Sequence, residues 1–497
     1  MQEDENILTM LGTFDEERKA IVPQQPPRNM KDLEQRLRDA GEEWRNEHAK
    51  VNEKTGEVKL LPCSPRAVAD ILKREAIFIL IGDYDPERSQ LAAYDWDSGI
   101  YRTGERWINK LVLTVERTLN QQHCKTVQHF LTVESTERQR TEDRNLIVVE
   151  NGIYSLSTKE LEPFNPGYVF TSKVATRWIK DAPKPGWDVD SWIDTIANHD
   201  KDVVTLLWQI IAECLNGNYT RGKFFVLVGS GNNGKGTFTS LLIQIIGHAN
   251  VSNLRMEQIG ERFSPSTMAG RVANIGDDIK GDYLPESQNL LSITTGDPIM
   301  MEEKGKQAYS ITLNCTMVFS ANKVPKIRNT TNGLYRRMCI VPFLADFNGH
   351  VEDKSIKSDK VKRKDVHEYI LFKALSSDFD KFIEPKIVKD MLNEYRKMND
   401  SIVEFYEDVW AFDEYAKCEK IPTDYVYQAY TNYCSTANYN PKSLRSFVSE
   451  FETTLGDQWE KKRARPGNDF LDNDWHMTRY AKPLQCFCKI EGVPLVP

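Results

Sequence analysis

The chain has 497 residues, 40% of them hydrophobic and 28% charged, with a formal net charge of −8. That balance fits a soluble globular protein of roughly three domains, and no apolar run approaches the roughly 18 residues of a membrane helix. The acidic opening MQEDENILTM has the character of neither a secretory signal nor a transit peptide, so a cytoplasmic protein is expected.

Residues 1–62 read as a charged, partly ordered arm, punctuated by QQPP and carrying one solvated helix from Met30 to His48. SPRAVADIL then opens a helix, with Ser64 as N-cap and Pro65 in the first helical position. Strands follow around IFILI and LAAYDW, and WINKLVLTVERTL is helical. In LIVVENGIYSL two apolar runs meet at Asn151-Gly152, a dipeptide that favours a type I′ hairpin turn. With PKPGWDVD as its boundary, 63–185 is a small α+β domain. Its Asp-x-Asp pairs, Asp83/Asp85 and Asp95/Asp97, fall in turn-like contexts, which argues against a primase metal site. His123, Cys124 and His129 lack a second cluster to complete a zinc site, and the nine cysteines contain no CxxC pair; packing and reduced thiols are expected.

From 186 to 360 helices and strands alternate: VVTLLWQIIAECLNGN, FFVLV, TFTSLLIQIIG, RVANIGDD, LPESQNLLSIT and TMVFSAN in turn. This is an α/β pattern with a mainly parallel sheet. Residues 361–497 are mostly helical and end in a compact unit with a short hairpin.

The chemistry concentrates in GSGNNGKGTF. Gly229, Ser230, Gly231, Asn232, Asn233, Gly234 and Lys235 follow the phosphate-loop pattern G-x-x-x-x-G-K-[ST], but Gly236 stands where a Mg²⁺-binding hydroxyl belongs. The loop lies between a strand and a helix, which aims backbone N–H groups and a helix dipole at phosphate. Binding of ATP with Mg²⁺ is expected, with Thr237 or water in the place Gly236 cannot fill. Asp277 and Asp278 end the next strand; one carboxylate would sit near Mg²⁺ and the other near the attacking water. Their strand is interrupted by Asn274 and Gly276. Asn322 tips a third strand, and the adjacent Arg336 and Arg337 would stabilise transition-state charge, from a neighbouring subunit if they act in trans.

Residues 304–345 hold seven basic side chains and no Asp or Glu, although the chain average of 73 acids in 497 would put about six there. An acidic protein that clears acids from one stretch is suited to handling phosphate.

GSGNNGKGTF, RVANIGDD, ITTGDPIMMEEKGK, VFSANKVPKI and YRRMCIVPF, in this order, resemble the superfamily 3 helicases of the phage, plasmid and poxvirus primase–helicase type, in their helicase portion. The resemblance implies an AAA+-like P-loop ATPase core, preceded by the small α+β domain and followed by a helical, winged-helix-like domain. It further implies a ring, usually a hexamer, that translocates on single-stranded DNA and opens forked DNA, with primer synthesis or initiation left to a separate protein. If a phage or mobile element encodes it, the setting is the cytoplasm of a bacterial host. Lys304 and Lys306, on a hairpin spanning about 298–315, would grip DNA phosphates. Lys461, Lys462, Arg463 and Arg465 would form a basic wing, although 441–480 balances seven basic against seven acidic residues. Leu291 and Gly236 depart from the family pattern. A helicase loader or remodelling ATPase, and a non-hydrolysing DNA-binding replication protein or inhibitor, remain alternatives.

Overall fold

The structure is a computed structural model that describes residues 26–54, 56–82, 89–276, 283–285, 288–302, 308–328, 332–348, 353–410, 418–437, 439–466 and 482–490. The chain divides into two units. The first holds 1–279, 288–322 and 341–385; the second holds 280–287, 323–340 and 386–497. Two segments of the α/β region are thus grouped with the C-terminal residues. Their assignment rests on non-local pairing, which periodicity does not report.

In the first unit, helix α1 (Met30–Glu47) starts at Asn29, whose Oδ1 accepts from the Asp32 amide at 2.8 Å. Its Met30, Leu33, Leu37 and Ala40 lie in one apolar core with Val68 and Leu72 of α2 (Pro65–Glu75). The helix is thus not the solvated arm its charged composition suggests: one narrow apolar stripe is enough to dock it. Ser64 caps α2 as expected, accepting from the Ala67 amide at 3.2 Å. Strands β1 (Phe78–Ile81), β2 (Gln90–Asp95) and β3 (Ile100–Thr103) follow, then helices α3 (Glu105–Val115) and α4 (Gln121–Glu134) and strand β4 (Thr136–Arg138). The four strands make a sheet in the order β3-β2-β1-β4.

Strands β5 (Leu146–Val149) and β6 (Gly152–Ser155) form the expected hairpin, and β7 (Leu161–Glu162) extends it. The turn is shifted. Val149 pairs with Gly152, so Glu150 and Asn151 occupy the two loop positions rather than Asn151 and Gly152. Asn151 is held by Trp178, donating to its carbonyl at 3.0 Å and accepting from its amide at 2.9 Å. Gly152 instead lets β7 close in, since a β-carbon there would lie 2.4 Å from the Glu162 carbonyl oxygen.

Helices α5 (Val189–Ile196) and α6 (Lys201–Cys214) lead to the main sheet. It contains β8 (Phe224–Val228), β9 (Val251–Ser252), β10 (Ala273–Gly276), β13 (Thr316–Ala321) and β14 (Met338–Pro342), in the order β9-β10-β13-β8-β14. The pairs β9·β10, β10·β13 and β8·β13 are parallel. Phe224 to Leu227 are all buried, as a continuous apolar run in a parallel sheet covered on both faces should be. Helix α7 (Lys235–Ile246) follows β8, and α8 (Gln288–Thr295) precedes a hairpin of β11 (Ile299–Met301) and β12 (Tyr309–Ile311), in register Met300↔Ser310. Helices α9 (Ser355–Ser358) and α10 (Lys364–Ser376) close the unit.

In the second unit, Tyr283–Pro285 pairs in parallel with Lys326–Arg328. Helix α11 (Lys386–Met398) secures this pair, with Tyr395 donating to the Pro325 carbonyl at 2.7 Å and Asn399 Oδ1 accepting from the Ile327 amide at 2.9 Å. Beyond α12 (Ser401–Phe405), strand β15 (Lys420–Pro422), helices α13 (Thr423–Ala437) and α14 (Leu444–Leu455) and strands β16 (Trp459–Ala464) and β17 (Leu484–Lys489) surround a core of Phe405, Tyr430, Phe447, Phe451 and Phe487. The strands form an antiparallel sheet in the order β15-β17-β16. Among the described residues no helix is long and apolar enough to cross a membrane.

Candidate nucleotide-binding site

Between β8 and β9 the chain runs along α7, past β13 and β10, to the far edge of the sheet. It then returns through β10 to β13, which lies beside β8. The carboxyl ends of the parallel strands are the usual place for a ligand in an open α/β sheet. The glycine-rich loop occupies that edge.

Gly229 begins the loop by donating its amide to the Ala321 carbonyl at 3.3 Å, which ties it to β13. No β-carbon fits there: one would stand 2.0 Å from Asn233 Nδ2 and 2.5 Å from the Phe343 carbonyl oxygen. Ser230 and Asn232 are exposed, and Asn232 takes a positive φ of 43° beside Gly231 at 105°. Gly234 turns the chain into α7 at φ 90°, packed so closely on α5 that a β-carbon would meet Ile196 Cγ2 at 2.6 Å. Only glycine adopts this conformation at low cost.

Asn233 is buried and organises the turn. Its Nδ2 donates to the Phe343 carbonyl at 3.2 Å, and its Oδ1 accepts from the amide and the ammonium of Lys235, each at 3.4 Å. Lys235 is only 6% exposed, and its Nζ donates to the Gly229 carbonyl at 2.5 Å. A buried ammonium at a helix N-terminus is suited to an anion, with which it can form a charge-assisted hydrogen bond.

The residues just after β14 complete the loop, and the sequence gives little notice of them. Phe347 donates its amide to the Asn232 carbonyl at 3.1 Å, and Asn232 Nδ2 donates to Asn348 Oδ1 at 3.3 Å. The only local signal is the turn-forming Asp346-Phe347-Asn348, in which Asp346 accepts from the Asn348 amide at 2.9 Å. Gly236 is exposed on the first turn of α7, and the half-buried Thr237 hydroxyl has no hydrogen-bond partner among the described residues.

Asn274 and Gly276 do not interrupt the second strand; both lie within β10. Asn274 is fully buried and its amide clamps the sheet edge, accepting from Ser252 Oγ and the Leu254 amide, both at 2.8 Å, and donating to the Leu254 carbonyl at 2.9 Å. Asp277 and Asp278 lie outside the described residues. Asn322 is exposed directly after β13, on the same sheet edge as the Gly229 loop.

The remaining candidates separate by their partners. In the second unit Arg336 is exposed, whereas Arg337 is half-buried and donates from Nη1 to the Gly333 carbonyl at 3.0 Å. Lys304 and Lys306, which follow β11 and precede β12 in sequence, lie outside the described residues. On β16, Lys461 pairs with Glu452 at 2.8 Å and Lys462 with Glu460. Arg463 and Arg465 are exposed, with no carboxylate in ion-pair range among the described residues. Asp83 and Asp85 are outside the described residues. Asp95 accepts from the amides of Asp97 and Ser98 and pairs with Arg102 at 2.7 Å, and Asp97 accepts from the Met30 amide, so both are engaged in local structure.

Three family models match successive parts of the chain. A D5 N terminal like model matches 94–198, a family of unknown function, DUF5906, matches 227–337, and a Poxvirus D5 protein-like model matches 397–480. The two D5 models make the chain similar to the D5-type primase–helicases of superfamily 3. Two viral proteins provisionally named as helicases are similar to this chain. L207/L206 of Acanthamoeba polyphaga mimivirus is 23% identical over 54% of the chain and 31% of its own length. Protein 184R of Invertebrate iridescent virus 6 is 22% identical over 49% of the chain and 27% of its own. The chain thus spans less than a third of either relative. Among solved structures, the NrS-1 C-terminal region aligns over 86% of this chain and 100% of that one, with 10% identity and a TM-score of 0.47, too low to bear on the assignment.

Proposed function

We propose that the chain is an ATP-dependent replicative DNA helicase of a phage or other mobile element, a ring-forming motor that translocates on single-stranded DNA. The observation that carries this reading is the buried Lys235 ammonium, held by the glycine loop at the start of α7 on the carboxyl edge of the parallel sheet. Similarity to the D5-type primase–helicases supports the DNA-dependent use of such a site. The parallel β9-β10-β13-β8 order supports an AAA+-like core, and the β15-α13-α14-β16-β17 succession supports a winged-helix-like C-terminal domain.

In this reading the loop amides and Lys235 bind the β- and γ-phosphates of ATP. The Thr237 hydroxyl and the Asp277 carboxylate would supply oxygen donors of the kind Mg²⁺ takes, and the ion would supply charge neutralisation at the phosphates. Asp278 and Asn322 orient the attacking water. Arg336, exposed and unpaired among the described residues, is the better candidate for a finger reaching the γ-phosphate of a neighbouring copy; Arg337 is committed to the Gly333 carbonyl. Lys304 and Lys306 would hold the DNA backbone, and of the four basic wing residues Arg463 and Arg465 are available for it.

Strand displacement on a forked DNA, with ATP and with a non-hydrolysable analogue, tests the proposal. Separation with ATP alone is the expected result. Gly236 favours one rival, a loader or non-hydrolysing replication protein, and DNA binding without ATP-driven separation would select it.

A further inference from the structure

Gly236 lies where the phosphate-loop pattern has a hydroxyl side chain. A β-carbon built on it would stand 3.4 Å from Lys357 Nζ, and apart from its own helix and chain neighbours no other described heavy atom would lie within 4 Å. Lys357 belongs to α9, more than a hundred residues along the chain from the loop. Its position is not accidental to a loose tail. Asp353 accepts from the Ser355 amide at 3.0 Å and pairs with Lys360 at 2.6 Å, which fixes both ends of the short helix. Just beyond, Val361 is fully buried and its carbonyl accepts from His367 Nε2 at 2.7 Å, anchoring the segment on α10. Helix α9 and the turn after it pack against α7.

The local charges leave Lys357 uncommitted. Lys360 is neutralised by Asp353, whereas Lys357 has no carboxylate within ion-pair distance among the described residues. Lys357 is exposed, and its ammonium stands beside the first turn of α7, at the positive end of the helix dipole, where an anion is favoured. A nucleotide phosphate is an anion of the right charge for that place.

We propose that Lys357 is a second phosphate-contacting cation of the nucleotide site, reaching the β- or γ-phosphate across the surface that Gly236 leaves bare. This rests on the nucleotide-site reading above. It gives the glycine a role: a side chain at 236 would stand between the ammonium and the phosphate. Lys357 would contact only the distal phosphates, so it should sense their number.

The test is equilibrium binding of ATP, ADP and AMP, followed by calorimetry, to the full chain and to Lys357→Ala, Lys357→Arg, Gly236→Ser and Lys235→Ala variants. Lys357→Ala should weaken ATP or ADP about tenfold or more, as loss of one charge-assisted contact does, and leave AMP unchanged. Lys357→Arg should restore much of the loss, and Gly236→Ser should mimic part of it. Unaltered melting temperatures would separate lost contacts from lost folding. If the parent binds ATP, Lys235→Ala abolishes binding and Lys357→Ala has no effect, the Lys357 proposal falls while the site stands. If the parent binds no nucleotide, both fall.

Discussion

Lys235 holds the glycine loop shut with its own charge, through the Gly229 carbonyl, and is buried while doing so. Replacing it with Ala should therefore remove ATP hydrolysis, and a phosphate-release assay that still registers turnover would contradict the assignment. Thr237→Ala should slow Mg²⁺-dependent hydrolysis about tenfold and shift its Mg²⁺ requirement upward, since Gly236 supplies no second hydroxyl. An unchanged Mg²⁺ titration would mean that water serves instead. At this scale much of the site was legible, because a phosphate loop is local: Gly229, Gly234 and Lys235 sit at fixed offsets between one strand and one helix. Lys357 and the 343–348 segment were not, since the contacts that bring them to the loop span more than a hundred residues. Asn274, which looked like an interruption, is a buried clamp; a single polar letter does not reveal that its partners are Ser252 and Leu254.

Helix α1 shows the same limit at the scale of elements. Its charged composition suggested a solvated arm, yet its inner stripe shares a core with α2 and α3, and its Arg45 joins Glu116 at 3.1 Å. Burial pushes the Glu116 carboxyl up, but the Cys63 amide, Thr118 and Arg45 outweigh it and hold the pKa below the ordinary glutamate value. A lowered carboxyl stabilises the fold above the unfolded-state pKa and loses that contribution as pH falls through the folded value. Glu116→Gln should cost about 2 kcal/mol at neutral pH and flatten the acid limb of stability, measured by denaturant unfolding at several pH values. The Asn-Gly hairpin teaches a related point: its existence was readable, but its register was fixed by Trp178 and β7, which the dipeptide does not encode. For the β11–β12 hairpin, Lys304→Ala with Lys306→Ala should leave ATP binding intact and abolish strand displacement. Unwinding at the parental rate would remove these lysines from the DNA path.

For the whole molecule the decisive question is whether one copy completes the site of another. Arg336→Ala should retain ATP binding and lose hydrolysis. Mixed with Lys235→Ala, it should recover part of the turnover, because some sites then pair an intact loop with an intact arginine. Mixtures no more active than the separate variants would argue against a shared site.

The interleaving of the two units also bears on synthesis. The chain crosses between them five times, and one crossing comes directly after Asn322. The segment that follows it takes its partners, Tyr395 and Asn399, from residues made some seventy positions later. A nascent chain released at residue 385 would already contain the phosphate loop, β13 and the 343–348 segment. The 323–340 segment would still lack those partners. A nucleotide could thus meet its loop on an unfinished polypeptide, while the stretch carrying Arg336 settles only after residue 399 has left the ribosome.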